Sequence, residues 1–361
     1  MREYLAAPYY DLRAILALRA TFAGLDPTAA ARTVVLVEAD VAPPAPQFWG
    51  ERDASAADAA GGGAGEPSTD RGIANALRSP ILPLTVTSSP PPNWGAGGTV
   101  PLTTHLCPSG YDSRLPTPPT LAILAGSFDP LTNAHLALAR AAREVGGCDV
   151  VYLALSRQTV DKEARVRPSD TDRALLLRQV ASREPGLGVI LFNRGLYAEQ
   201  AVAARAAFPE AEIRFIVGFD KARQIFDPRY YADRDAALRQ LFSRVSLLVA
   251  PRADAGPEAL AALLDRPENA PFRGRVGALP FDPAWATDSA TVVREAARAG
   301  EPFAALVPPE TVAFVTALAP YDAPAPADTP DYYERREALI ARLAAGEETA
   351  AGADPWSALS R

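Results

Sequence analysis

His135 is the residue whose surroundings best suit it to act on a bound anion. It ends the run Gly126-Ser127-Phe128-Asp129-Pro130-Leu131-Thr132-Asn133-Ala134-His135, which follows the apolar residues 121–125. This order predicts a buried parallel strand, a tight turn that contains glycine, and a helix capped by Thr132 or Asn133. The first amides and the dipole of such a helix favour an anion, most often a phosphate. His135 lies on the first helical turn and can donate to the same anion.

A second group suited to an anion opens a later helix, in Thr287-Asp288-Ser289-Ala290-Thr291-Val292-Val293-Arg294. The hydroxyls of Ser289 and Thr291 can bind phosphate together with the first helical amides. Arg294 lies one turn further along the same face, and its guanidinium suits bidentate contact with phosphate oxygens. Taken alone, the pattern is equally that of an ordinary capped helix.

Two further residues follow predicted strands and can face the same edge of a sheet. Asp220, in Gly218-Phe219-Asp220, can accept hydrogen bonds from ribose hydroxyls, or it can simply cap the next helix. Lys162 lies in the loop after an earlier strand, where a lysine either meets phosphate or is an ordinary surface residue.

The composition excludes several classes of site. Of the 361 residues 48% are hydrophobic, and the net charge of −7 gives no basic footprint for nucleic acid. Only two cysteines, Cys107 and Cys148, and two histidines, His105 and His135, are present. These numbers argue against a disulfide framework, a thiolate zinc site and a histidine-rich metal centre, and no metal site is predicted.

No membrane association is predicted. The sequence lacks a long uncharged apolar run, and its first residues, Met-Arg-Glu-Tyr, lack the apolar region of a signal peptide. We therefore expect a soluble, cytoplasmic protein.

Residues 121–320 alternate between two hydrophobic patterns. Apolar runs typical of strands alternate with stretches of helical periodicity, which predicts βαβ units around a parallel sheet. The predicted strands are 121–125, 150–155, 189–192, 213–217, 245–250 and 276–281, and the predicted helices are 132–144, 170–183, 198–207, 234–241, 257–264, 289–299 and 311–318. We expect an α/β fold with a Rossmann-like, doubly wound parallel sheet that binds its ligand beyond the carboxyl ends of the strands.

The segments on either side of residues 121–320 suggest no chemistry of their own. Residues 1–40 are predicted to form a small N-terminal segment, with one helix and one strand, that packs on the main domain. Residues 41–120 are rich in Pro and Gly and are predicted to be a flexible, largely irregular linker. Residues 321–361 are predicted to be a C-terminal tail with one solvent-facing amphipathic helix.

Residues 126–135 resemble the signature G-x-F-D-P-x-(H/T)-x-G-H of the nucleotidyltransferase superfamily of adenylyl- and cytidylyltransferases. They are most similar to its nicotinate and nicotinamide mononucleotide adenylyltransferases. The segment from Ser289 to Arg294 resembles the I-S-S-T-x-x-R motif of that family. Three positions depart from these patterns: Thr132 replaces the first histidine, as in phosphopantetheine adenylyltransferases, Ala134 replaces the glycine, and Ala290 replaces the second serine. The resemblance covers about residues 121–320.

The resemblance implies a role for each candidate residue. The catalytic residues would be His135, Thr132 and Arg294. His135 would donate to the phosphoryl group under attack, and the motif that contains Arg294 would grip the triphosphate. The nucleotide would be bound by Gly126, Ser127, Phe128, Gly218, Asp220, Ser289 and Thr291. Lys162 would meet phosphate, and Tyr231 would stack on a pyridine ring at a place where a tryptophan is common.

The implied reaction joins the AMP moiety of ATP to nicotinate or nicotinamide mononucleotide and releases pyrophosphate, a step of NAD biosynthesis. Magnesium would be bound through the triphosphate. Two alternatives stay open: a nucleotidyltransferase that uses a phosphopantetheine-like acceptor or CTP, and a nucleotide-binding module without catalysis. The expected partners are small nucleotides, with no nucleic acid and no membrane, and self-association is left open.

Overall fold

The computed structural model describes residues 5–39, 118–157, 167–251, 256–282, 284–285, 288–322, 329–346 and 354–359. Most of the predicted linker of residues 41–120 lies outside this set, as does Lys162.

A seven-stranded sheet organises the described residues. Its strands are β1 (Thr33–Val37), β2 (Thr120–Ala125), β3 (Val150–Ser156), β4 (Leu187–Phe192), β5 (Glu212–Gly218), β6 (Ser246–Ala250) and β7 (Val276–Ala278). Their order across the sheet is β1-β4-β3-β2-β5-β6-β7, and every neighbouring pair is parallel except β1 with β4. The predicted α/β fold with a parallel sheet is confirmed.

Helices connect the strands. They are α1 (Leu12–Gly24), α2 (Asn133–Glu144), α3 (Asp170–Ala181), α4 (Tyr197–Ala207), α5 (Phe219–Phe226), α6 (Arg234–Phe242), α7 (Pro257–Leu264), α8 (Ala290–Ala299), α9 (Pro309–Leu318) and α10 (Tyr332–Ala344). Within the described part of the chain, none of them combines the length and the apolar character needed to cross a membrane.

The apolar runs form strands because both faces of the sheet are covered. All residues of β4 are buried. Along β2 the side chains alternate between two cores: Leu124 packs in one with Leu175, and Ile123 packs in the other with Phe215. Each fully buried Leu, Ile or Phe contributes about 1.5–3 kcal/mol relative to an exposed one, so the sheet is stabilised from both sides.

The strand order reverses between β2 and β5. From β2 the chain first moves to β3 and β4 on one side, and it then returns to add β5, β6 and β7 on the other. In doubly wound sheets such a reversal opens a crevice at the carboxyl ends of the two central strands, because the connecting helices leave on opposite faces. The loops after β2 and β5 border that crevice.

Residues 5–39 share this sheet and its core. β1 pairs antiparallel with β4, with Thr33 opposite Phe192. Ile15 and Leu18 of α1 are buried in the same core as Leu124. The N-terminal segment thus extends the edge of the sheet, while the predicted domain boundaries at residues 40, 120 and 320 stay predictions.

The C-terminal helix α10 forms at the predicted place, but one of its faces is buried. Asp331 and Glu334 start it with a capping box. Arg336 is fully buried, and its Nη2 lies 3.0 Å from Asp172 Oδ1 on α3. The prediction of a solvent-facing helix is wrong for this face, because the partner of Arg336 lies 164 residues earlier in the chain.

Candidate functional site

The predicted motifs meet at the carboxyl edge of the sheet. β2 pairs with β5 up to Leu124 opposite Ile216, and Gly126 and Gly218 each follow two residues later. The two glycines therefore lie at the same level on adjacent strands, at the point where the strand order reverses. This is where a doubly wound sheet binds its ligand.

The turn of residues 126–132 has little freedom. Phe128 is buried with a left-handed backbone, φ 42°, which costs a bulky residue of the order of 1–3 kcal/mol. A Cβ on Gly126 would lie 3.0 Å from Phe128 Cζ, so the glycine allows this ring to fold back over the turn. The ring packs edge-on against His135, with 5.1 Å between the ring centres.

Hydrogen bonds select one tautomer of His135. Thr132 caps α2, and its backbone N–H lies 3.0 Å and its Oγ1 2.8 Å from His135 Nδ1. Because a backbone N–H can only donate, Nδ1 is the acceptor and the ring proton lies on Nε2. His135 therefore carries an Nε2–H donor at the start of a helix.

Burial keeps this imidazole neutral. It lowers the pKa of His135 from its ordinary 6.5 to about 4. A proton on Nδ1 would also face the N–H of Thr132, so the cap opposes protonation as well. At physiological pH the residue is a neutral hydrogen-bond donor.

Arg294 reaches the same turn from α8. Its Nη1 donates to the Asp129 carbonyl at 2.5 Å, and its Nη2 donates to Thr291 Oγ1 at 2.9 Å. Ser289 caps α8 by accepting from the Val292 N–H at 3.3 Å. The two motifs, 165 residues apart in the chain, are thus in direct contact.

Arg173 is a residue of the site that the sequence analysis missed. It is buried on the first turn of α3, and its Nη1 donates to the Ser127 carbonyl at 2.6 Å while its Nη2 donates to Asp170. Two guanidinium groups therefore hold the turn, Arg173 at Ser127 and Arg294 at Asp129. The available signal was the charged pair Asp172-Arg173 at the start of a helix that is otherwise largely apolar.

Asp129 anchors the turn to the body of the protein. Its side chain is fully buried, and Tyr321 donates to its Oδ1 at 2.8 Å. Thr311 of α9 donates to the Leu131 carbonyl at 3.0 Å. Two hydrogen bonds, from α9 and from the residues just after it, therefore hold the turn of residues 126–132 in place.

The end of β5 supplies the other wall of the crevice. Gly218 caps α5, and Asp220 lies exposed on the first turn of that helix. Its carboxylate is accessible to a ribose hydroxyl at this edge. Tyr231 is half-buried and donates to the Ile225 carbonyl at 2.7 Å, which closes the loop after α5, and burial raises the pKa of its phenol.

A cleft of about 1480 Å³ opens beside α5. Phe219 and Asp220 line it at the start of the helix, and Arg223, Tyr230 and Leu263 line it further along. About half of its lining residues are charged, more than in most ligand pockets, which are lined mainly by apolar side chains. It is large enough for a nucleotide, and it shares Asp220 with the crevice.

The structure thus gathers most of the predicted residues and leaves others apart. Gly126, Ser127, Phe128, Thr132, His135, Ser289, Thr291 and Arg294 belong to one connected group. Gly218 and Asp220 lie on the adjacent strand end. Lys162 lies outside the described residues, and the hydroxyl of Tyr231 donates within its own loop. The roles of all these residues stay predictions.

This arrangement suits a polyphosphate. The first amides of α2, the Nε2–H of His135 and the guanidinium of Arg294 are all donors, and none of them requires a change of protonation to bind an anion. Donors that are fixed before the ligand arrives lose little energy in reorganisation, which is what stabilisation of a charged transition state requires.

The chain is similar to several known proteins. Residues 123–193 match the family model described as Cytidylyltransferase-like. The chain is 33% identical to a probable nicotinate-nucleotide adenylyltransferase of Laribacter hongkongensis over 204 residues, which cover 52% of this chain and 88% of that protein. It is 28% identical to the protein of the same description from Gloeobacter violaceus over 213 residues, which cover 57% of this chain and 97% of that protein. A solved structure, Plasmodium falciparum nicotinic acid mononucleotide adenylyltransferase complexed with NaAD, superimposes with a TM-score of 0.44 and 13% identity over 56% of this chain and 97% of that chain.

Proposed function

The chain belongs to the nucleotidyltransferase superfamily, near its nicotinate-nucleotide adenylyltransferases, and from this premise we propose that it transfers the AMP moiety of ATP to a nicotinate or nicotinamide mononucleotide. The observation that carries the proposal is the Nε2–H donor of His135, which Thr132 fixes at the start of α2, with Arg294 bound to the same turn. Donors of this kind suit the transfer of a phosphoryl-type group, in which the protein positions the reactants and neutralises their charge.

In the proposed reaction a phosphate oxygen of the mononucleotide attacks the α-phosphorus of ATP. The bond between the α-phosphorus and the oxygen that bridges to the β-phosphate breaks, and pyrophosphate leaves with that electron pair. His135 donates from Nε2 to a non-bridging oxygen of the α-phosphate, while Ser289, Thr291 and Arg294 bind the β- and γ-phosphates. No covalent bond to the protein forms.

We propose that the nucleosides lie along the ends of β2 and β5. Gly218 leaves room for a sugar beside Gly126, and Asp220 accepts hydrogen bonds from ribose hydroxyls. Lys162 and Tyr231 stay candidates for the acceptor: the lysine for its phosphate and the tyrosine for its pyridine ring. The cleft beside α5 supports this placement because Asp220 lines it.

Magnesium fits this site as part of the nucleotide complex. Among the described residues no group of three or more His, Cys, Asp or Glu side chains gathers as metal ligands. The donors of the site instead suit phosphate oxygens, so we propose that the ion binds to the triphosphate, where it would neutralise charge on the leaving pyrophosphate.

Pyrophosphate release with a panel of substrates tests this function. Purified protein with ATP and Mg²⁺ should release pyrophosphate when nicotinate or nicotinamide mononucleotide is added, and the dinucleotide should appear in equal amount. Replacing ATP by CTP should abolish the signal. Failure with every mononucleotide, phosphopantetheine and phosphorylated alcohol would reject the enzyme hypothesis.

Thr132 is the observation that favours a second acceptor. The resemblance connects a threonine at this place with phosphopantetheine adenylyltransferases, and here the threonine hydroxyl is already bound to His135. Turnover with phosphopantetheine and not with the mononucleotides would identify phosphopantetheine as the acceptor, within the same enzyme class.

A further inference from the structure

The buried group around Asp172 links the C-terminal helix to the turn of residues 126–132. Arg336 of α10 lies with Nη2 3.0 Å from Asp172 Oδ1, and Tyr333 donates to Asp172 Oδ2 at 2.5 Å. The Tyr333 hydroxyl also accepts from the Ser169 N–H at 2.8 Å. Asp172 and Arg336 are each at most 1% exposed, so solvent screens these interactions little.

These contacts hold the first turn of α3. Ser169 caps the helix by accepting from the Asp172 N–H at 3.2 Å, and its hydroxyl donates to Asp172 Oδ2 at 2.9 Å. Arg167, just before the cap, is paired with Asp331 and, at 2.6 Å, with Glu334 of α10. The start of α3 is therefore attached to α10 at several points within a few residues.

Arg173 is the next residue of that helical turn, and it donates to the Ser127 carbonyl. The Ser127–Phe128 peptide is trans and planar, so fixing the carbonyl also fixes the direction of the Phe128 N–H. Phe128 is the residue with the left-handed backbone, and its ring packs on His135. The bond from Arg173 thus sets the backbone that supports the histidine.

We propose that Arg173 is a positioning residue for the 126–132 turn, and that α10 acts as part of the nucleotidyltransferase site by holding Arg173 through Asp172 and Tyr333. The proposal rests on the proposed function for its effect on turnover. It extends the functional unit beyond residue 320, because the start of α3 is held by residues 331–336. Arg173 donates from Nη1 to the Ser127 carbonyl and from Nη2 to Asp170, so we expect its effect to pass through the orientation of Phe128 and His135.

The experiment compares Arg173→Leu, Arg173→Lys and the control Arg140→Leu in the full-length protein. Arg140 is the control because its guanidinium also makes two hydrogen bonds, here to Glu184 just after α3, away from the turn. Arg173→Leu should lower kcat about 10–100-fold with a smaller change in KM, as expected when reacting groups are misplaced by about an ångström. Arg173→Lys should regain most of kcat because an ammonium can still donate to the Ser127 carbonyl, and Arg140→Leu should keep the wild-type kcat.

Amide hydrogen exchange provides a readout that does not require turnover. In Arg173→Leu the peptide that contains residues 126–132 should exchange faster than in the wild type, and Arg173→Lys should restore its protection. If the wild type shows no turnover with any acceptor, the proposed function fails, while exchange still decides the positioning role. If the 126–132 peptide exchanges in Arg173→Leu at the same rate as in the wild type, the positioning role is overturned.

Tyr333→Phe tests the contribution of α10 without removing a charge. The phenylalanine keeps the packing and loses only the hydroxyl that binds Asp172 and Ser169. We expect faster exchange of the 126–132 peptide and a several-fold lower kcat. The melting temperature should fall by several degrees, because the buried Asp172 carboxylate and the Ser169 N–H each lose a partner. Unchanged exchange together with unchanged kcat would show that α10 is not coupled to the turn.

Discussion

At the scale of single residues, the site depends on one ring whose proton has a fixed place. Thr132 supplies a donor to His135 Nδ1 from its own backbone, so the choice of tautomer does not depend on a distant partner. Burial then keeps the ring neutral. A neutral Nε2–H can bind a phosphoryl oxygen over a broad range of pH, because no proton has to be lost or gained.

We predict that His135→Ala lowers kcat about 10²–10³-fold, the usual cost of removing one donor to a charged transition state. His135→Gln should lose less, because its side-chain amide can place an N–H donor in the same region. Initial rates of pyrophosphate release measure both variants, and ATP binding measured separately should change little. Equal losses in the two variants would contradict a role for the Nε2 donor.

The lowered pKa of His135 also predicts a dependence of stability on pH. Between pH 6.5 and about 4 the unfolded chain binds a proton at this residue that the folded protein does not. The free energy of unfolding is therefore greatest above pH 6.5 and falls as the pH decreases, with a slope of at most about 1.4 kcal/mol per pH unit from this group.

Denaturant unfolding of the wild type and of His135→Gln between pH 4 and 7.5 isolates this contribution. Titrating carboxylates change the free energy of unfolding of both proteins alike. The stability advantage of the wild type over His135→Gln should therefore decrease as the pH falls. A difference that stays constant over this range would show that the pKa of His135 is not lowered.

At the scale of elements, β1 joins the sheet through a close contact with β3 and β4. Tyr152 of β3 lies opposite Gly188 of β4, and its hydroxyl reaches across to Glu38, just after β1, at 3.2 Å. A Cβ on Gly188 would lie 2.4 Å from the Tyr152 ring and 2.8 Å from the Val37 carbonyl. Only glycine leaves room for both neighbours.

We predict that Gly188→Ala destabilises the protein by about 1–3 kcal/mol, the range for an overpacked core position. Gly277→Ala in β7 is the matched control, because its Cβ would meet its nearest neighbour at an ordinary 3.8 Å, and it should stay within about 0.5 kcal/mol of the wild type. Urea unfolding measures both. If Gly188→Ala destabilises the protein no more than Gly277→Ala, Tyr152 and β1 move aside without a loss of stability.

At the scale of the whole molecule, the N-terminal segment and the C-terminal helix α10 both contact α3. Tyr9 donates to Gln179 of α3 at 3.1 Å, and its carbonyl accepts from Arg336 Nη2 at 2.7 Å. Arg336 thus connects the N-terminal segment, α3 and α10 in one buried group. The predicted small segment and the predicted tail are joined to the domain that carries the site.

Arg336→Met should cost about 3–5 kcal/mol, because it leaves the buried Asp172 carboxylate without its cation. Arg342→Met is the control: Arg342 is exposed on the last turn of the same helix, and the change should stay within about 0.5 kcal/mol. Thermal or denaturant unfolding compares them. A small loss in Arg336→Met would mean that water or another cation reaches Asp172.

The sequence by itself determined the local elements and the two motifs. Apolar runs and helical periodicity depend on neighbouring residues, so strands β2 to β7, most of the helices between them and the caps at Thr132 and Ser289 could be predicted. Helix α5, which follows β5 directly, was not predicted. The motif of residues 126–135 also indicated the family, because its turn needs particular residues at particular places.

Only the tertiary structure decided which distant side chains support the motif. Three side chains bind the turn from other parts of the chain: Arg173, Arg294 and Tyr321. Arg336 can be buried because it forms an ion pair with Asp172 of α3. A buried charge is stable only when its partner is present. Partners separated by 46 to 192 residues produce no periodicity in the sequence. The chemistry of His135 could therefore be predicted locally, whereas the shell that holds it could not.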